Sequence, residues 1–250
     1  MTAHFAPVVL IPVFDHDQAV GEMMASVVAT GVPCLLIDDG SGPDCARTLD
    51  ALYSASGGSV MLLRLPRNEG KGAAVMAGMA EAARLGYTHA VQIDADGQHD
   101  ASDIPRFLEC ARRSPGDVVC GTPIYDGSVP RARLYGRWLT HVWVWINTLS
   151  LAIADSMCGF RVYPLAPTLK LIAEEPVGRR MDFDIEILVR LYWRGIGVMN
   201  LPTRVTYHPD GISHFHVWRD NVRISRAHAR LFLGMLRRLP ALLPRIGTGA

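Results

Sequence analysis

The sequence lacks an excess of charge of either sign. Its 250 residues include 25 Lys and Arg against 24 Asp and Glu, which gives a formal net charge of +1 at pH 7. This balance provides no basic field for nucleic acid and no acidic tail, so any charge-dependent function must be local. With 49% hydrophobic and 20% charged residues, the chain has the composition of a globular protein of one large or two small domains.

The sequence also has no paired cysteine spacing, and little at its start resembles a secretory signal. The cysteines are odd in number and widely spaced, without the spacing of a zinc site or of a disulfide framework, which favours a reducing cytoplasm. They stand at positions 34, 45, 110, 120 and 158. Residues 1–7 carry no Lys or Arg ahead of the first apolar run, so no secretory signal is expected.

No apolar run reaches the ~20 residues that span a bilayer. The nearest, residues 141–154, is too short and contains Asn147, and we interpret it as a buried helix or a pair of strands. An interfacial segment in contact with lipid is the alternative interpretation.

Short apolar runs alternate with helical stretches over the first half of the chain, the pattern of crossover units and a mostly parallel sheet. The clearest helix covers residues 72–85 and stops at Gly86. The predicted strands, each followed by a turn and a helix, cover residues 8–13, 33–37, 60–65, 90–93 and 117–120.

Beyond Pro123 the alternation breaks, and two further helices are predicted. One contains Leu188 and ends at Gly195. The other covers residues 221–238 with an extension to 243, and it is amphipathic and basic. Such a helix suits either packing on the domain or contact with a membrane surface.

Acidic residues end three of the predicted strands. Ligands bind beyond the carboxyl ends of the strands in an open parallel sheet, so we expect these side chains to share one crevice. They are Asp15 after the first strand, Asp38 and Asp39 after the second, and Asp94, Asp96 and Asp100 after the fourth. So many carboxylates favour a bound cation, and oxygen ligands suit Mg²⁺ or Mn²⁺, which would hold a diphosphate. A turn or helix cap is the simpler explanation for Asp38 or Asp100 alone.

A glycine-containing loop, RNEGKGA over residues 67–73, leads from the third strand into the clearest helix. Its two glycines permit close backbone approach beside Lys71, as in an anion-binding loop. The Walker A spacing is absent, so nucleotide hydrolysis has little support.

Five segments in this order resemble the family-2 glycosyltransferases, in particular the branch similar to dolichyl-phosphate mannosyltransferase. They are LIPVFD, LLIDDGSG, RNEGKGAAVMAGMAEA, VQIDADGQHD and DSMCGFRVYP, within a resemblance that spans residues 8–213. The resemblance implies an α/β fold of the GT-A type, with a Rossmann-like, mostly parallel sheet flanked by helices. We therefore predict a GT-A domain over residues 1–215 and an amphipathic helical tail over residues 216–250.

The resemblance also assigns a donor site. Asp94 and Asp96 match the family's Asp-x-Asp pair and would hold Mg²⁺ or Mn²⁺. Asp39 would contact the base, inside a pocket with residues of the first strand end. The predicted nucleotide site comprises Pro12, Phe14, Asp15, Asp39, Lys71 and Asp94.

The resemblance also implies residues that bind the acceptor, and their roles depend on whether the acceptor is a hydroxyl or a phosphate. Asp184 matches the family's general base in members whose acceptor is a hydroxyl, whereas a phosphate acceptor is already ionised and needs no base. A helix cap is the structural alternative, although Asp182 is the better placed cap. Arginines resembling those that hold a lipid-phosphate acceptor precede the Trp-rich run, and solvated side chains are the alternative for each. They are Arg131, Arg133 and Arg137.

Several positions depart from the lipid-phosphate branch. Residues 121–123 read Gly-Thr-Pro instead of Gly-Ser-Arg, and Cys158 stands where the branch has Ser. His208 and His214 replace two basic residues late in the chain. His214 is thereby a candidate third metal ligand or a cationic partner of the diphosphate.

The sequence thus predicts a metal-dependent, inverting glycosyltransferase that uses a nucleotide diphosphate sugar and a lipid-linked or small-molecule acceptor. It is expected in the cytoplasm, peripherally on the inner face of the membrane, without a nucleic-acid partner. A nucleotidyltransferase is the first alternative, disfavoured because the basic Gly-rich loop usual after its first strand is absent. A non-catalytic GT-A binding module is the second, disfavoured by the intact Asp94 and Asp96.

Overall fold

A computed structural model describes residues 4–125, 129, 131–206 and 216–245 of the chain. Within them, eight α-helices surround one seven-stranded sheet. The strands are β1 Pro7–Val13, β2 Cys34–Asp38, β3 Val60–Arg64, β4 His89–Gln92, β5 Val118–Tyr125, β6 Arg161–Pro164 and β7 Val198–Val205. The helices are α1 Asp17–Val28, α2 Pro43–Ala55, α3 Lys71–Arg84, α4 Ile104–Arg113, α5 Arg131–Thr148, α6 Leu165–Glu174, α7 Phe183–Trp193 and α8 Val217–Leu242.

The sheet is parallel except for one strand, and its order is β3-β2-β1-β4-β6-β5-β7. Strand β6 runs antiparallel between β4 and β5, whereas every other neighbouring pair is parallel. The carboxyl ends of β1, β2 and β4 therefore meet at one edge, where the sequence predicts the acidic crevice. All five predicted strands are present, and the mostly parallel α/β sheet is confirmed.

Strands β6 and β7 were not predicted, for reasons visible in their composition. β6 reads RVYP and is buried along its whole length although it begins with Arg161. β7 reads VMNLPTRV and lies at the sheet edge, a position where a strand tolerates proline. Neither strand has the apolar continuity by which the other five were found.

Two hydrophobic clusters cover the two faces of the sheet, because successive side chains of a strand point to opposite sides. Val8 and Leu10 of β1 belong to the cluster that includes buried residues of α3, α6, α7 and α8. Val9 and Ile11 belong to the other, with α1, α2 and α4. Both faces are thus buried, as is usual for a parallel sheet.

Helix α8 packs on the domain through Ile224, Leu231 and Met235, which share a core cluster with β1. The predicted boundary at residue 215 lies outside the described residues, so the division into 1–215 and 216–250 stays a prediction. The longest apolar run begins inside α5, where Val144 and Asn147 are buried. Among the described helices, none combines the length and the hydropathy needed to cross a bilayer.

Candidate active site

The carboxyl ends of β1, β2 and β4 open into a cavity of about 900 Å³. The cavity continues between α5 and the start of α8, so it joins the predicted donor and acceptor regions. Eight of the predicted site residues line it, namely Pro12, Phe14, Asp39, Lys71, Asp94, Asp96, Arg137 and Asp184. The structure therefore brings together most of the site that the sequence predicts.

Asp15 is not among the residues that line this cavity. Its Oδ1 accepts a hydrogen bond from the Gly42 N–H at 2.7 Å, and its own N–H donates to Ser41 Oγ at 3.1 Å. These bonds tie the end of β1 to the start of α2, and Asp15 adopts a positive φ of 49° to make them. A role for Asp15 in nucleotide binding stays a prediction.

Asp38 and Asp100 stabilise local turns, which is the simpler explanation for an acidic residue that follows a strand. Asp38 accepts hydrogen bonds from the Ser41 N–H and from Arg64 Nε, both at 2.8 Å. Asp100 accepts from the Ser102 N–H at 2.9 Å and so caps the short helical turn that follows.

Asp39 fixes the loop that precedes α3. Its two carboxylate oxygens accept hydrogen bonds from the N–H groups of Glu69 and Gly70, both at 2.8 Å. Burial raises the pKa of Asp39 above its ordinary value, although these two bonds oppose the shift. Gly40 permits the close approach, since a Cβ there would lie 2.3 Å from the backbone carbon of Arg67. The predicted base-binding Asp is thus also the anchor of the predicted anion loop.

Lys71 lies between two carboxylates at the centre of the cavity. Its Nζ is 2.8 Å from Asp94 Oδ1 and 3.0 Å from Asp184 Oδ2. Burial lowers the pKa of Lys71, but the charges of Asp184 and Asp94 outweigh it and hold the pKa above its ordinary value. The ammonium group therefore stays charged and neutralises the carboxylate of Asp94, which follows β4, and that of Asp184 in α7.

Asp184 is held by further groups that the sequence did not reveal. Gln92 Nε2 donates to Asp184 Oδ1 at 3.0 Å, and Arg161 Nη1 donates to the Asp184 backbone oxygen at 2.6 Å. Arg161 is fully buried and also donates to the backbone oxygen of Ser156 at 2.7 Å. The available signal was a polar residue inside each of two short buried strands, β4 and β6.

The helix-cap alternative for Asp184 does not apply, because Asp182 occupies the N-cap position of α7. The Asp182 side chain makes no capping bond there. Instead it accepts from the Arg180 N–H at 3.2 Å and lies 3.4 Å from Arg230 Nη2 of α8. Asp184 is thus the α7 carboxylate that faces the cavity centre.

Asp94 and Asp96 fit a divalent cation by their chemistry. Burial and the charge of Asp94 raise the pKa of Asp96, whose Oδ1 accepts one backbone bond, from Gln98 at 3.1 Å. Gly159 packs on Asp94, since a Cβ there would lie 2.2 Å from Asp94 Oδ2. Within the described residues, no three His, Cys, Asp or Glu side chains are grouped as a metal site. A cation here would need further oxygen ligands, such as those of a diphosphate.

Arg137 is the predicted acceptor arginine that the structure describes in full. Its Nε and Nη2 donate to the two oxygens of Asp155 at 2.7 and 2.8 Å. Asp155 also accepts from the N–H groups of Met157 and Cys158, both at 2.8 Å, so the pair is fixed to the segment before β6. Asp155 begins the segment DSMCGFRVYP, but the sequence did not predict its pairing with Arg137.

The remaining predicted residues lie at or beyond the limits of the described structure. Arg131 and Arg133 belong to the first turn of α5, and their side chains are outside the described part. His208 and His214 lie outside the described residues altogether. Their predicted roles stay predictions.

Comparison with known proteins places this geometry in a family. The model of the family described as glycosyl transferase family 2 matches residues 8–168, well over half of the chain. The chain is 26% identical to a polyprenol monophosphomannose synthase of Mycolicibacterium smegmatis, over 82% of this chain and 79% of that protein. It is 27% identical to an undecaprenyl-phosphate mannosyltransferase of Micrococcus luteus, over 77% of this chain and 80% of that protein.

A solved structure supports the fold. Glucosyl-3-phosphoglycerate synthase from Mycobacterium tuberculosis, in complex with Mn²⁺, UDP-glucose and phosphoglyceric acid, matches with a TM-score of 0.69 at 15% identity. The match covers 94% of this chain and 80% of that one, and it confirms the GT-A fold. The chain therefore belongs to glycosyl transferase family 2 and is a glycosyltransferase.

Proposed function

We propose that the chain transfers a sugar, with inversion, from a nucleotide diphosphate sugar to the phosphate of a polyprenyl lipid. The observation that carries the proposal is the course of the cavity. It runs from Asp94 and Asp96 to Leu134 of α5 and Val217 of α8, two side chains that are also exposed on the outer surface. A lipid headgroup could therefore reach the carboxylates while its apolar chain stays against an apolar surface.

The donor half of the cavity contains the groups for a nucleotide diphosphate and Mg²⁺ or Mn²⁺. Asp94 and Asp96 would hold the cation, which when bound neutralises the charge of the diphosphate leaving group. Asp39 and Asn68 line the other end, and Arg180 Nη1 donates to Asn68 Oδ1 at 3.0 Å. We assign that end to the nucleoside. A donor of this chemical class is supported by the M. tuberculosis synthase, which has the same fold and was solved with Mn²⁺ and UDP-glucose.

The acceptor half contains Arg137 at the cavity wall, with its guanidinium oriented by Asp155. Asp155 takes the N–H of Nε and one N–H of Nη2, so the two N–H groups of Nη1 and the second of Nη2 remain for a phosphate. Arginine binds phosphate through such paired N–H groups. Two relatives are named for transfer to polyprenyl or undecaprenyl phosphate, which supports the same class. An acceptor phosphate oxygen would attack the anomeric carbon opposite the leaving diphosphate, and that direction of attack inverts the configuration.

The bonds of Asp184 favour a phosphate acceptor over a hydroxyl. A general base must accept a proton from the attacking group, but Gln92 and Lys71 already donate to the two oxygens of Asp184. A phosphate monoester needs no base because it is ionised at neutral pH. We assign Asp184 to orienting the Lys71 ammonium group while no substrate is bound.

Asp184→Asn is therefore expected to keep turnover with polyprenyl phosphate within about tenfold of wild type, because no proton transfer is lost. The measurement is steady-state transfer from UDP- and GDP-sugars to a short-chain polyprenyl phosphate, beside phosphoglycerate and sugar acceptors. A hydroxyl acceptor that requires this base predicts a loss of about 10² or more. That loss, or transfer to hydroxyl acceptors alone, would contradict the proposal.

An apolar surface beside the acceptor end suggests a peripheral membrane contact, which we include in the proposal. Tyr135, Trp138 and Leu139 of α5 are 75%, 61% and 56% exposed. Trp218 and Arg219 of α8 are exposed beside the same end of the cavity. Aromatic side chains beside an arginine suit the interface of an anionic membrane. We name these five residues the α5–α8 surface.

Removal of aromatic rings from the α5–α8 surface is expected to weaken binding to anionic vesicles. The double variant Tyr135→Ser/Trp138→Ser should lose at least about tenfold in partition to phosphatidylglycerol vesicles, because each ring contributes apolar area. Vesicle co-sedimentation measures the effect. Tyr53→Ser, which removes a half-exposed ring from α2, is the matched control and should bind as wild type does. Equal binding by all three proteins would exclude this surface.

A further inference from the structure

We infer that Lys71 is an internal counter-ion that makes binding of the divalent cation depend on the nucleotide. The inference rests on the proposed metal site at Asp94 and Asp96 and adds a binding order to it. In this view, the ammonium group holds Asp94 until a diphosphate arrives, and then it moves to the phosphates. The cation would take up the carboxylate that Lys71 releases.

The position of Lys71 supports this role. Its Nζ is 2.8 Å from one oxygen of Asp94 and 2.9 Å from the other, so it contacts both oxygens of that carboxylate. It is also 3.0 Å from Asp184 Oδ2, and the side chain is only 17% exposed. A cation at Asp94 would therefore lie within a few ångström of the ammonium group, a repulsion that is strong in a partly buried site.

The charges near Lys71 explain why binding of the cation would depend on the diphosphate. The carboxylates of Asp94 and Asp184 contact Lys71, and that of Asp96 lines the same cavity. Arg161 is a second cation of this cluster, 4.0 Å from Asp184. A divalent cation alone would add positive charge beside Lys71, whereas a cation with a diphosphate adds little net charge. Phosphate oxygens would also accept from the Lys71 ammonium, which sits on a flexible four-carbon stem. Arg161 cannot follow, because it is fully buried and bonded to backbone oxygens.

The location of Lys71 makes such a movement short. It is the first residue of α3 and follows Gly70, whose N–H is held by Asp39 at the nucleotide end of the cavity. The backbone of the loop is thus fixed at Asp39 while the side chain crosses to Asp94. Rotation of the side chain alone would carry the ammonium along the cavity from the carboxylates towards the diphosphate.

A purely structural role for Lys71 makes a different prediction. If Lys71 only ties β4 to α7, its removal lowers stability and leaves the affinity for a cation unchanged or weaker. A counter-ion that competes with the cation predicts the opposite, a gain in affinity for Mn²⁺ in the absence of nucleotide. The direction of the change therefore separates the two roles.

The test is Mn²⁺ binding by Lys71→Gln without nucleotide, measured by electron paramagnetic resonance of free Mn²⁺. We expect an affinity at least about tenfold above wild type, because a charge that repels the cation is removed. The increase in Mn²⁺ affinity on adding UDP or GDP should shrink in the variant. Lys170→Gln, which removes an exposed lysine of α6, is the matched control and should behave as wild type.

Mn²⁺ affinity equal to or below that of wild type overturns the inference. Circular dichroism checks the fold, and Lys71→Met, which keeps an apolar stem, is measured if Lys71→Gln is unfolded. If both fold only with Mn²⁺ present, the counter-ion role is supported, and if Mn²⁺ rescues neither, it is overturned. Failure of the proposed function looks different, since wild type would then bind neither UDP- nor GDP-sugars with Mn²⁺, whatever the variant does with Mn²⁺ alone.

Discussion

Asp96→Ala is expected to abolish metal-dependent donor binding and to leave the folded state intact. Burial and the charge of Asp94 raise the pKa of Asp96, and its one backbone bond, from Gln98, contributes little. Removal of this carboxylate therefore relieves repulsion within the folded protein. It also removes one of the two carboxylates of the proposed metal site. We expect donor affinity in Mn²⁺ to fall at least about 100-fold, which corresponds to about 2.7 kcal/mol.

Calorimetric titration with UDP and GDP, in Mn²⁺ and in EDTA, measures this loss, and denaturant unfolding measures stability. Asp100→Ala is the matched control, since Asp100 caps a turn four residues further on. It should lose about 1 kcal/mol of unfolding free energy and keep its donor affinity. Undiminished Mn²⁺-dependent binding by Asp96→Ala would remove Asp96 from the site.

Arg161→Ala is expected to lower the free energy of unfolding by about 3–5 kcal/mol, because it breaks a buried charge network. The guanidinium donates to the backbone oxygens of Asp184 and Ser156 and, at 3.1 Å, to the hydroxyl of Tyr163. Its loss removes these three hydrogen bonds and a positive charge 4.0 Å from the Asp184 carboxylate. The negative charge of Asp184 would then be balanced by Lys71 alone of these two cations.

Urea unfolding followed by circular dichroism measures the loss. Arg113→Ala, on the exposed face of α4, removes an arginine whose partner is Glu109 one turn earlier. Such surface pairs contribute about 0.5 kcal/mol, so this control should change the unfolding midpoint little. A loss of less than about 1 kcal/mol in Arg161→Ala would show that the network is not what stabilises the β6 region.

The sequence indicated the parallel part of the fold because its strands are apolar runs separated by turns. Strands β1 to β5 all begin within two residues of their predicted starts. β6 and β7 were not predicted because neither is a continuous apolar run. β6 begins with an arginine, and β7 contains a proline followed by two polar residues before its last valine. The local sequence pattern cannot show that the charge of Arg161 is balanced by Asp184, which lies 23 residues further along the chain.

The sequence likewise predicted the positions of the candidate site residues but not their partners. The position of Asp39, Asp94 and Asp96 at strand ends was predictable, since parallel strands end at a common edge. The partners of these residues were not, because hydrogen bonds such as that between Gln92 and Asp184 join segments 92 residues apart. Position after a strand is also not sufficient to place a residue in the cavity. Asp15 follows a strand as the others do, but it binds Gly42 and does not line the cavity.

The reversed direction of β6 has a consequence for how acceptor preference can change. Because β6 runs against its neighbours, it begins at the edge where β4 ends, and the segment before it brings Gly159 to Asp94 and Asp155 to Arg137. The connection from β5 to β6, which contains α5, therefore leaves the edge where Asp94 and Asp96 lie and returns to it. This connection is thus attached at both ends to the edge that contains the proposed donor site. It does not include the strands β1, β2 and β4 that position that site. Substitutions in this connection would therefore act on the proposed acceptor side and leave unchanged the strands β1, β2 and β4, whose ends position Asp39, Asp94 and Asp96.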